Sequence, residues 1–371
     1  MSRGACSPPS AVTGAQTARA TAFAGGRGRG ILHGIGGTVH GVGGAYGHTA
    51  YLARDGLRKL AHKLHHAGIF VWCGDTLHMV LYLFYQLRPR FLHIVARKHD
   101  GGFCFAGKSV CGRGIDVLHI GNTKNRVLYC GGFHGSEYLT ILALLKFFEE
   151  CCEAMESDKT VGGCKIGNFL SIRGLTIVPC VNPDGTEIAL HGSDAAFKYK
   201  PLVEKVCTDT YKWQANARGV DINHNFNAGW CRLKQLELKN NIKCPAPTRF
   251  GGNHPESEPE TKALTTLCRN IDFERAIALH SQGREIYCSF GRHTPVLSFR
   301  LASIFSQASG YNIAFPEEIA TGGGFKDWFI EKFRRPALTI EMGLGKNPLP
   351  LSDFEEEYKI LQNILCLGAV V

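Results

Sequence analysis

The sequence predicts an α/β fold over residues 91–371, with strands and helices alternating along the chain. Two observations lead to this prediction. Short apolar runs bounded by glycine alternate with amphipathic stretches, as they do where helices cover a sheet. Each apolar run also ends, on its carboxyl side, in polar or turn-forming residues, and ligand sites of open α/β sheets lie beyond the carboxyl ends of strands.

One helix and five strands follow from this pattern. The stretch "SEYLTILALLKFFEECCEAM" at 136–155 is apolar nearly all round, so we expect a helix that packs against the sheet. The predicted strands are "IDVLHIG" at 115–121, "RVLYCGG" at 126–132, "LTIVPCV" at 175–181, "RAIALH" at 275–280 and "PALTIEMG" at 336–343.

Residues 1–90 have a different composition. Their first 50 positions hold 13 glycines, and the whole stretch has ten Lys/Arg against two Asp/Glu. We therefore predict a Gly/Arg/His-rich N-terminal region, flexible or atypical, ahead of a domain at 91–371. The formal net charge of +10 comes mainly from this region, since the remaining residues carry 32 basic against 30 acidic side chains. That balance argues against a nucleic-acid partner.

The sequence also favours a cytoplasmic protein. Its 15 cysteines are odd in number and include the adjacent Cys151 and Cys152, so we expect free thiols in a reducing compartment. The N-terminus lacks the apolar core of a secretory signal. The stretch at 69–87 has nearly the length of a membrane span, but Asp75 and His78 make a span unfavourable.

Residues 102–109, "GFCFAGKS", match the phosphate-binding pattern G-x-x-x-x-G-K-S. Such a loop needs a helix directly after it, because the helix N-terminus supplies the amide donors. Here Gly112 and Gly114 follow, and the next element is a strand. The match is therefore coincidental, and we expect Lys108 and Ser109 to lie in a strand or hairpin.

Polar residues at the ends of four strands are the candidate functional residues. The strand ends would bring His134, Glu137, Asn182, His280 and Glu341 together along one edge of the sheet.

Two imidazoles and a carboxylate suit a catalytic zinc, which takes three protein ligands and a water. If a helix starts near Ser136, the spacing puts His134 and Glu137 on one face, and His280 supplies the third ligand. The alternatives are a loop histidine and a helix-terminal acid. Glu341 would be the general base, or else part of a salt bridge. Ser136 does not fit a G-x-S-x-G nucleophile motif.

Six motifs in order, "FHGSE", "VNPDG", "NARGVDINHNFNAGW", "LHSQG", "TGGGFKDWFI" and "TIEMG", resemble the zinc carboxypeptidase (M14) family. Within it they look most like the bacterial branch of γ-D-glutamyl-meso-diaminopimelate peptidases. The resemblance covers about residues 107–351. It implies a mixed, twisted, eight-stranded sheet with helices on both faces, and one Zn²⁺ per chain. It also implies His134, Glu137 and His280 as zinc ligands and Glu341 as general base.

The chain departs from the family pattern in its substrate-binding residues. Asn223 matches, but His224 stands where the resemblance implies an arginine that grips the substrate carboxylate. A neutral histidine lacks the bidentate fork of arginine. Arg218 is a candidate to supply the missing charge or to polarise the scissile carbonyl, and a surface arginine is the alternative. Lys326 lies where the family selects the substrate side chain, and it would favour an acidic partner. No tyrosine stands near Ile319, where animal carboxypeptidases have a mobile one.

The resemblance implies a zinc-dependent metallopeptidase of carboxypeptidase type. Its substrates would be short peptides with a free C-terminal carboxylate, among them cell-wall peptides with a γ-D-Glu-diaminopimelate bond. Two alternatives remain open: a zinc-dependent deacylase or amidase of N-acyl amino acids, and a catalytically weak peptide-binding homologue. The sequence does not define the oligomeric state.

Overall fold

A computed structural model describes residues 102–157 and 159–371. The predicted N-terminal region at 1–90 and the apolar stretch at 69–87 lie outside these residues. Both predictions therefore stay predictions, as does the domain boundary at residue 91.

The described residues form one mixed sheet of eight strands, in the order β1-β2-β4-β3-β5-β8-β6-β7. The four central strands β4, β3, β5 and β8 are parallel, and the outer strands add antiparallel pairs on both sides. The carboxyl ends of the four central strands therefore meet at one edge. The strands are β1 (Gly102–Lys108), β2 (Gly114–Ile120), β3 (Arg126–Cys130), β4 (Leu175–Val178), β5 (Phe273–His280), β6 (Glu285–Tyr287), β7 (Asn312–Ile313) and β8 (Ala337–Glu341).

Helices connect the strands. They are α1 (Tyr138–Ser157), α2 (Ile166–Leu170), α3 (Pro183–His191), α4 (Lys200–Val206), α5 (Trp230–Lys239), α6 (Pro259–Asn270), α7 (Val296–Ser309), α8 (Phe325–Phe333) and α9 (Phe354–Val370). The 3₁₀ turn that bears on the site is Ile222–His224.

Alternation along the strands builds two hydrophobic cores, one on each face of the sheet. In β5, Ile277 and Leu279 point into the core shared with α1, α2, α7 and α9, which we call the first face. Ala276 and Ala278 point into the core shared with α6 and α8, the second face. Period-two alternation explains this division. The predicted eight-stranded sheet with helices on both faces is thus confirmed.

The long helix α1 has the predicted all-round apolar character, with twelve buried residues, eleven of which belong to the core of the first face. It begins at Tyr138 rather than at Ser136. His134 and Glu137 lie in the turn before it, closed by the Glu137 amide donating to the His134 carbonyl at 3.1 Å. The two side chains are therefore brought together by a turn and not by a helix face.

The 102–109 stretch forms β1 and the start of a hairpin, as expected. Ser109 Oγ donates to Asp184 Oδ1 at 2.7 Å, and the Arg113 guanidinium pairs with the same oxygen at 2.7 Å. The Cys111 amide donates to Asp184 Oδ2 at 2.7 Å. These bonds fasten the hairpin to the first turn of α3, so its polar groups are used within the fold.

Two further expectations concern the thiols and the membrane. The cysteines of the described residues, thirteen in number, are all free thiols, in agreement with the prediction. Over the same part of the chain, no helix combines the length and the apolar character needed to cross a membrane.

Candidate metal and catalytic site

Three residues with metal-binding side chains converge at the carboxyl edge of the central strands. His134 and Glu137 follow β3, and His280 ends β5, the next strand in the sheet. One ligand atom of each lies within 4.8 Å of the others. The predicted convergence of strand ends therefore brings these three side chains together.

Glu137 lies between the two imidazoles. Its Oε1 is 2.8 Å from His134 Nδ1, and its Oε2 is 3.1 Å from His280 Nδ1. The Ser281 amide donates to Oε2 at 3.3 Å, and Asn347 Nδ2 donates to Oε1 at 3.3 Å. Both carboxylate oxygens are thus oriented by bonds from more than one element.

Asp221 holds the other side of His134. Its Oδ1 is 3.2 Å from His134 Nε2 and also accepts the Asn223 amide at 3.0 Å. Oδ2 accepts the Arg249 amide at 2.8 Å. A carboxylate behind a ligating histidine fixes the ring and raises its basicity. Sequence reasoning missed this role, although Asp221 lies within the quoted "DINHNF" segment.

Aromatic packing and the side-chain amide of Asn182 also hold the loop between β3 and α1 in place. Phe133 stacks on His280 with ring centroids 5.0 Å apart, and it contacts Phe325 of α8 at 5.7 Å. Asn182 caps α3, since its Oδ1 accepts the Gly185 amide at 2.9 Å. Its Nδ2 donates to the Phe133 carbonyl at 3.0 Å. Asn182 therefore supports the loop that carries His134 and does not face the reaction.

Glu341 ends β8, and in the parallel register it pairs with His280 of β5. Burial, and then the negative charge of Glu137, raise the pKa of Glu341 well above its ordinary value. A carboxyl group of raised proton affinity at a site edge suits a general base. The salt-bridge alternative has no support among the described residues, where Glu341 forms no ion pair.

The pKa values of His134, Glu137 and His280 shift in different directions within the buried cluster. Burial lowers the pKa of the His134 imidazole, but the Glu137 and Asp221 charges outweigh it and raise that pKa well above the ordinary value. Burial raises the pKa of Glu137, but His134 and His280 outweigh it and bring that pKa to about 2. Burial, only partly opposed by Glu137, lowers the pKa of His280. Glu137 is therefore ionised at neutral pH, as a ligand must be.

The cluster fits a zinc ion. Two imidazoles and one carboxylate form the protein part of a catalytic zinc site. His280 Nε2 is buried and has no hydrogen-bond partner in the described part of the chain. Within the described part of the chain, these three residues bring their ligand atoms close enough together to hold one metal ion.

Arg218 lies apart from this tight cluster. Its backbone amide donates to Asn216 Oδ1 at 2.9 Å, and its Nη1 is 3.5 Å from Glu258 Oε2. The side chain is 42 % exposed, so its guanidinium is accessible to a ligand.

Asn223 and His224 occupy the 3₁₀ turn that follows Asp221. Asn223 Oδ1 accepts the Phe325 amide at 3.0 Å, which orients the side-chain amide. His224 is buried, and its Nδ1 lies 3.5 Å from Glu237 Oε1. Glu237 also accepts the Gly251 amide at 3.0 Å and pairs with Lys234. The residue at the arginine position of the resemblance thus lies beside a buried carboxylate, and its Nδ1 makes no hydrogen bond within the described residues.

Lys326 lies in the first turn of α8, on the second face of the sheet. Its Nζ forms an ion pair with the adjacent Asp327 of the same helix, so selection of an acidic substrate group by Lys326 stays a prediction. Nζ also donates to the Ser289 carbonyl at 2.7 Å. Ile319, which stands near the position of the mobile tyrosine of animal carboxypeptidases, is buried in a short 3₁₀ turn.

The family model for zinc carboxypeptidase, Peptidase M14, matches residues 103–363. The chain therefore belongs to the zinc carboxypeptidase family, and zinc is its cofactor. The match covers both the His134–Glu137 turn and Glu341.

Two bacterial relatives are similar over most of the described residues. Gamma-D-glutamyl-L-diamino acid endopeptidase 1 of Lysinibacillus sphaericus is 35% identical over 266 residues, 71% of this chain and 65% of that protein. The uncharacterized protein YqgT of Bacillus subtilis is 32% identical over 264 residues, 70% of this chain and 69% of the relative. The chain thus spans a little under two thirds of the first relative's length.

Solved structures agree on the fold. Thrombin activatable fibrinolysis inhibitor superposes with a TM-score of 0.60 at 18% identity, covering 77% of this chain and 73% of that one. Carboxypeptidase A of Helicoverpa armigera gives a TM-score of 0.58 at 18% identity, covering 86% and 87%. Both confirm the eight-stranded carboxypeptidase-type architecture.

Proposed function

We propose that the chain is a zinc-dependent peptide hydrolase of carboxypeptidase type. The observation that carries the proposal is the cluster of His134, Glu137 and His280, with Glu341 on the neighbouring strand. The favoured substrates are short peptides with a free C-terminal carboxylate, among them γ-D-glutamyl-diaminopimelate peptides from cell walls. The name of the Lysinibacillus sphaericus relative, which specifies a γ-D-glutamyl-L-diamino acid bond, supports this class.

His134, Glu137 and His280 would hold the zinc ion. Zinc bound there would polarise the scissile carbonyl and lower the pKa of its water from about 15.7 to about 7. Glu341 accepts the proton that the attacking water gives up, and then delivers it to the leaving nitrogen. Burial of the Glu341 carboxyl group raises its pKa, which favours the first of these transfers, from the water to Glu341.

The remaining predicted residues would bind the substrate. Arg218 is exposed enough to reach a ligand, and it would stabilise negative charge that develops on the carbonyl oxygen. Asn223 would direct its amide NH₂ towards the substrate carboxylate, since its Oδ1 already accepts from Phe325. His224 would contribute an imidazole ring that lies 3.5 Å from Glu237, in place of an arginine fork. The pairing of Lys326 with Asp327 weakens its case as a free anion receptor.

The test is release of diaminopimelate from L-Ala-γ-D-Glu-diaminopimelate by the zinc-loaded full chain. We expect chelation to abolish release and Glu341→Gln to lower kcat by about 10²–10⁴-fold, the usual contribution of general acid–base catalysis. Glu318→Gln is the matched control, because Glu318 is exposed and pairs with Arg232 at the surface. Glu341→Gln should retain bound zinc, which distinguishes loss of the base from loss of the metal.

No release from folded, zinc-loaded protein would contradict the proposal. Hydrolysis of N-acyl amino acids by such a sample would identify the deacylase alternative. Binding of the peptide without any cleavage would identify the catalytically weak homologue.

A further inference from the structure

Two side chains beside Glu341 have no part in the mechanism above. They are Glu285 and Tyr287 of β6, the strand that pairs antiparallel with β8. Glu285 lies directly opposite Glu341, and Tyr287 lies opposite Thr339. Directly opposed residues of neighbouring strands point to the same face of a sheet. Both residues therefore share a face with Glu341.

The hydrophobic cores identify that face. Ile286, between Glu285 and Tyr287, belongs to the core on the first face. By alternation its two neighbours point to the second face, where α8 packs against Ala278 and Ala337. His280 is in phase with Ala278 along β5 and lies on this face too. Glu285 and Tyr287 thus lie on the same face of the sheet as the candidate site, on the strand next to β8.

The two side chains are bonded to each other. Tyr287 Oη donates to Glu285 Oε2 at 2.6 Å. Burial, followed by this hydrogen bond, raises the pKa of Tyr287 far above its ordinary value. The phenol consequently remains a donor at any physiological pH. Glu285 Oε1 has no hydrogen-bond partner among the residues that the structure describes.

Two further carboxyl groups lie close to this pair. Glu341 lies opposite Glu285, and the charge of Glu317 also acts on Tyr287. The nearby cations are already paired: Lys326 with Asp327, and Arg249 with Glu317 at 3.4 Å.

Arg284, the residue before Glu285, pairs instead with Glu357 of α9. Over residues 102–157 and 159–371, Glu285 makes no ion pair. A partly buried carboxylate that has no cation of its own gives a cation supplied by a ligand a charge-assisted hydrogen bond.

Resting on the proposed function, we propose that Glu285, together with Tyr287, binds the side-chain ammonium of the diamino acid that the reaction releases. Glu285 Oε1 accepts a hydrogen bond from the ammonium, and Tyr287 holds the carboxylate in place through Oε2. The substrate class is therefore a γ-glutamyl peptide whose last residue carries an amine at the end of its side chain, such as lysine or diaminopimelate. Specificity comes from this acid rather than from Lys326.

The experiment compares L-Ala-γ-D-Glu-L-Lys with L-Ala-γ-D-Glu-L-norleucine, using the zinc-loaded full chain. Norleucine keeps the lysine carbon chain and lacks only the amine. We expect kcat/KM to favour lysine by about tenfold or more, the effect of one charge-assisted hydrogen bond. Glu285→Gln should reduce the lysine-to-norleucine ratio about tenfold, and Tyr287→Phe should reduce it less. Because the ratio compares two substrates on one sample, it does not depend on the fraction of folded enzyme.

Glu355→Gln is the control, since Glu355 is exposed and paired with Lys146 at the surface, and it should keep the wild-type ratio. Equal turnover of the two peptides by the wild type would overturn the inference. An unchanged ratio in Glu285→Gln would do the same, because Glu285 would then act only on Glu341.

Calorimetric titration of zinc-loaded protein with free L-lysine and L-norleucine separates this inference from the proposed function. If neither peptide is cut, the proposed function fails. The inference then stands if L-lysine binds more tightly than L-norleucine and Glu285→Gln removes the difference. Equal binding of the two amino acids would reject it independently of catalysis.

Discussion

At the scale of single residues, Asp221 shows how the His134 side chain is oriented. Its carboxylate contacts His134 on one side and is fixed on the other by backbone amides, including that of Arg249. Burial raises the pKa of Asp221, but the His134 charge outweighs burial and keeps the pKa far below its ordinary value. The lowered pKa favours the ionised carboxylate, which accepts the hydrogen bonds that orient it beside the imidazole.

We expect Asp221→Asn to weaken zinc binding by about 10–100-fold, the usual effect of losing a carboxylate behind a ligating histidine. The amide keeps the size of the side chain and removes its charge. Competition with a chromophoric chelator measures the affinity. Asp272→Asn is the control, because Asp272 is 88% exposed and pairs with Arg335 at the surface. Equal affinity in the wild type and Asp221→Asn would show that His134 needs no such support.

The sequence did not predict which side chains contact the candidate site residues. Glu237 faces His224, Asp327 pairs with Lys326, and Asp221 contacts His134. His134 and Asp221 are 87 positions apart, and no local period relates residues at that separation. A local sequence pattern indicates which residues lie at strand ends. Which side chains contact those residues depends on how distant turns fold.

At the scale of elements, the N-terminal turn of α6 is joined to the β1–β2 hairpin by a buried carboxyl group. Glu260 is fully buried. Its Oε1 accepts the Val110 amide at 2.9 Å, and its Oε2 accepts from Asn216 Nδ2 at 3.2 Å. Burial raises the pKa of Glu260 to about 8, and the charge of Asp184 adds to this although the Val110 bond opposes it. The fold thus holds a proton here that an unfolded chain would release.

We predict that this group makes the protein less stable as the pH rises. The folded-state pKa of Glu260 is above the unfolded value, so its stabilising contribution is complete below the unfolded pKa of 4.5 and is lost as the pH rises to about 8. The slope is at most about 1.4 kcal/mol per pH unit. Urea unfolding from about pH 6 to about pH 9 should show the free energy of the wild type falling relative to Glu260→Gln, which does not titrate. Parallel curves would mean that Glu260 is ionised throughout.

The strands and the helix that the sequence predicts are those with a clear pattern of apolar residues. All five strands named from the sequence are present, and so is the helix at 136–155 apart from its first two residues. The strands β6 and β7 were not named, because three and two residues are too short for any periodic signal. β6 nevertheless carries Glu285 and Tyr287, the two residues that we propose bind the substrate ammonium, and no periodic pattern in the sequence points to them.

At the scale of the whole molecule, the site depends on the order of the strands. His134 and His280 follow β3 and β5, which are neighbours in the sheet although about 150 residues separate them in sequence. The sequence alone predicted that strand ends converge, and the resemblance added the eight-stranded architecture. If His134, Glu137 and His280 bind the zinc as proposed, the ligands come from distant segments, so an unfolded chain holds no preformed metal site and metal binding is coupled to folding.

The last prediction follows from this coupling. A ligand that binds only the folded state stabilises it by about 2.7 kcal/mol at a hundredfold excess over its Kd, so zinc should raise Tm by roughly 5 °C and a chelator should lower it. His280→Ala removes one ligand of the cluster and should abolish this zinc-dependent shift, as differential scanning fluorimetry would show. His254→Ala is the control, since His254 is exposed and remote in sequence from the ligands, and it should shift as the wild type does. An equal shift in wild type and His280→Ala would place the zinc outside the His134–Glu137–His280 cluster.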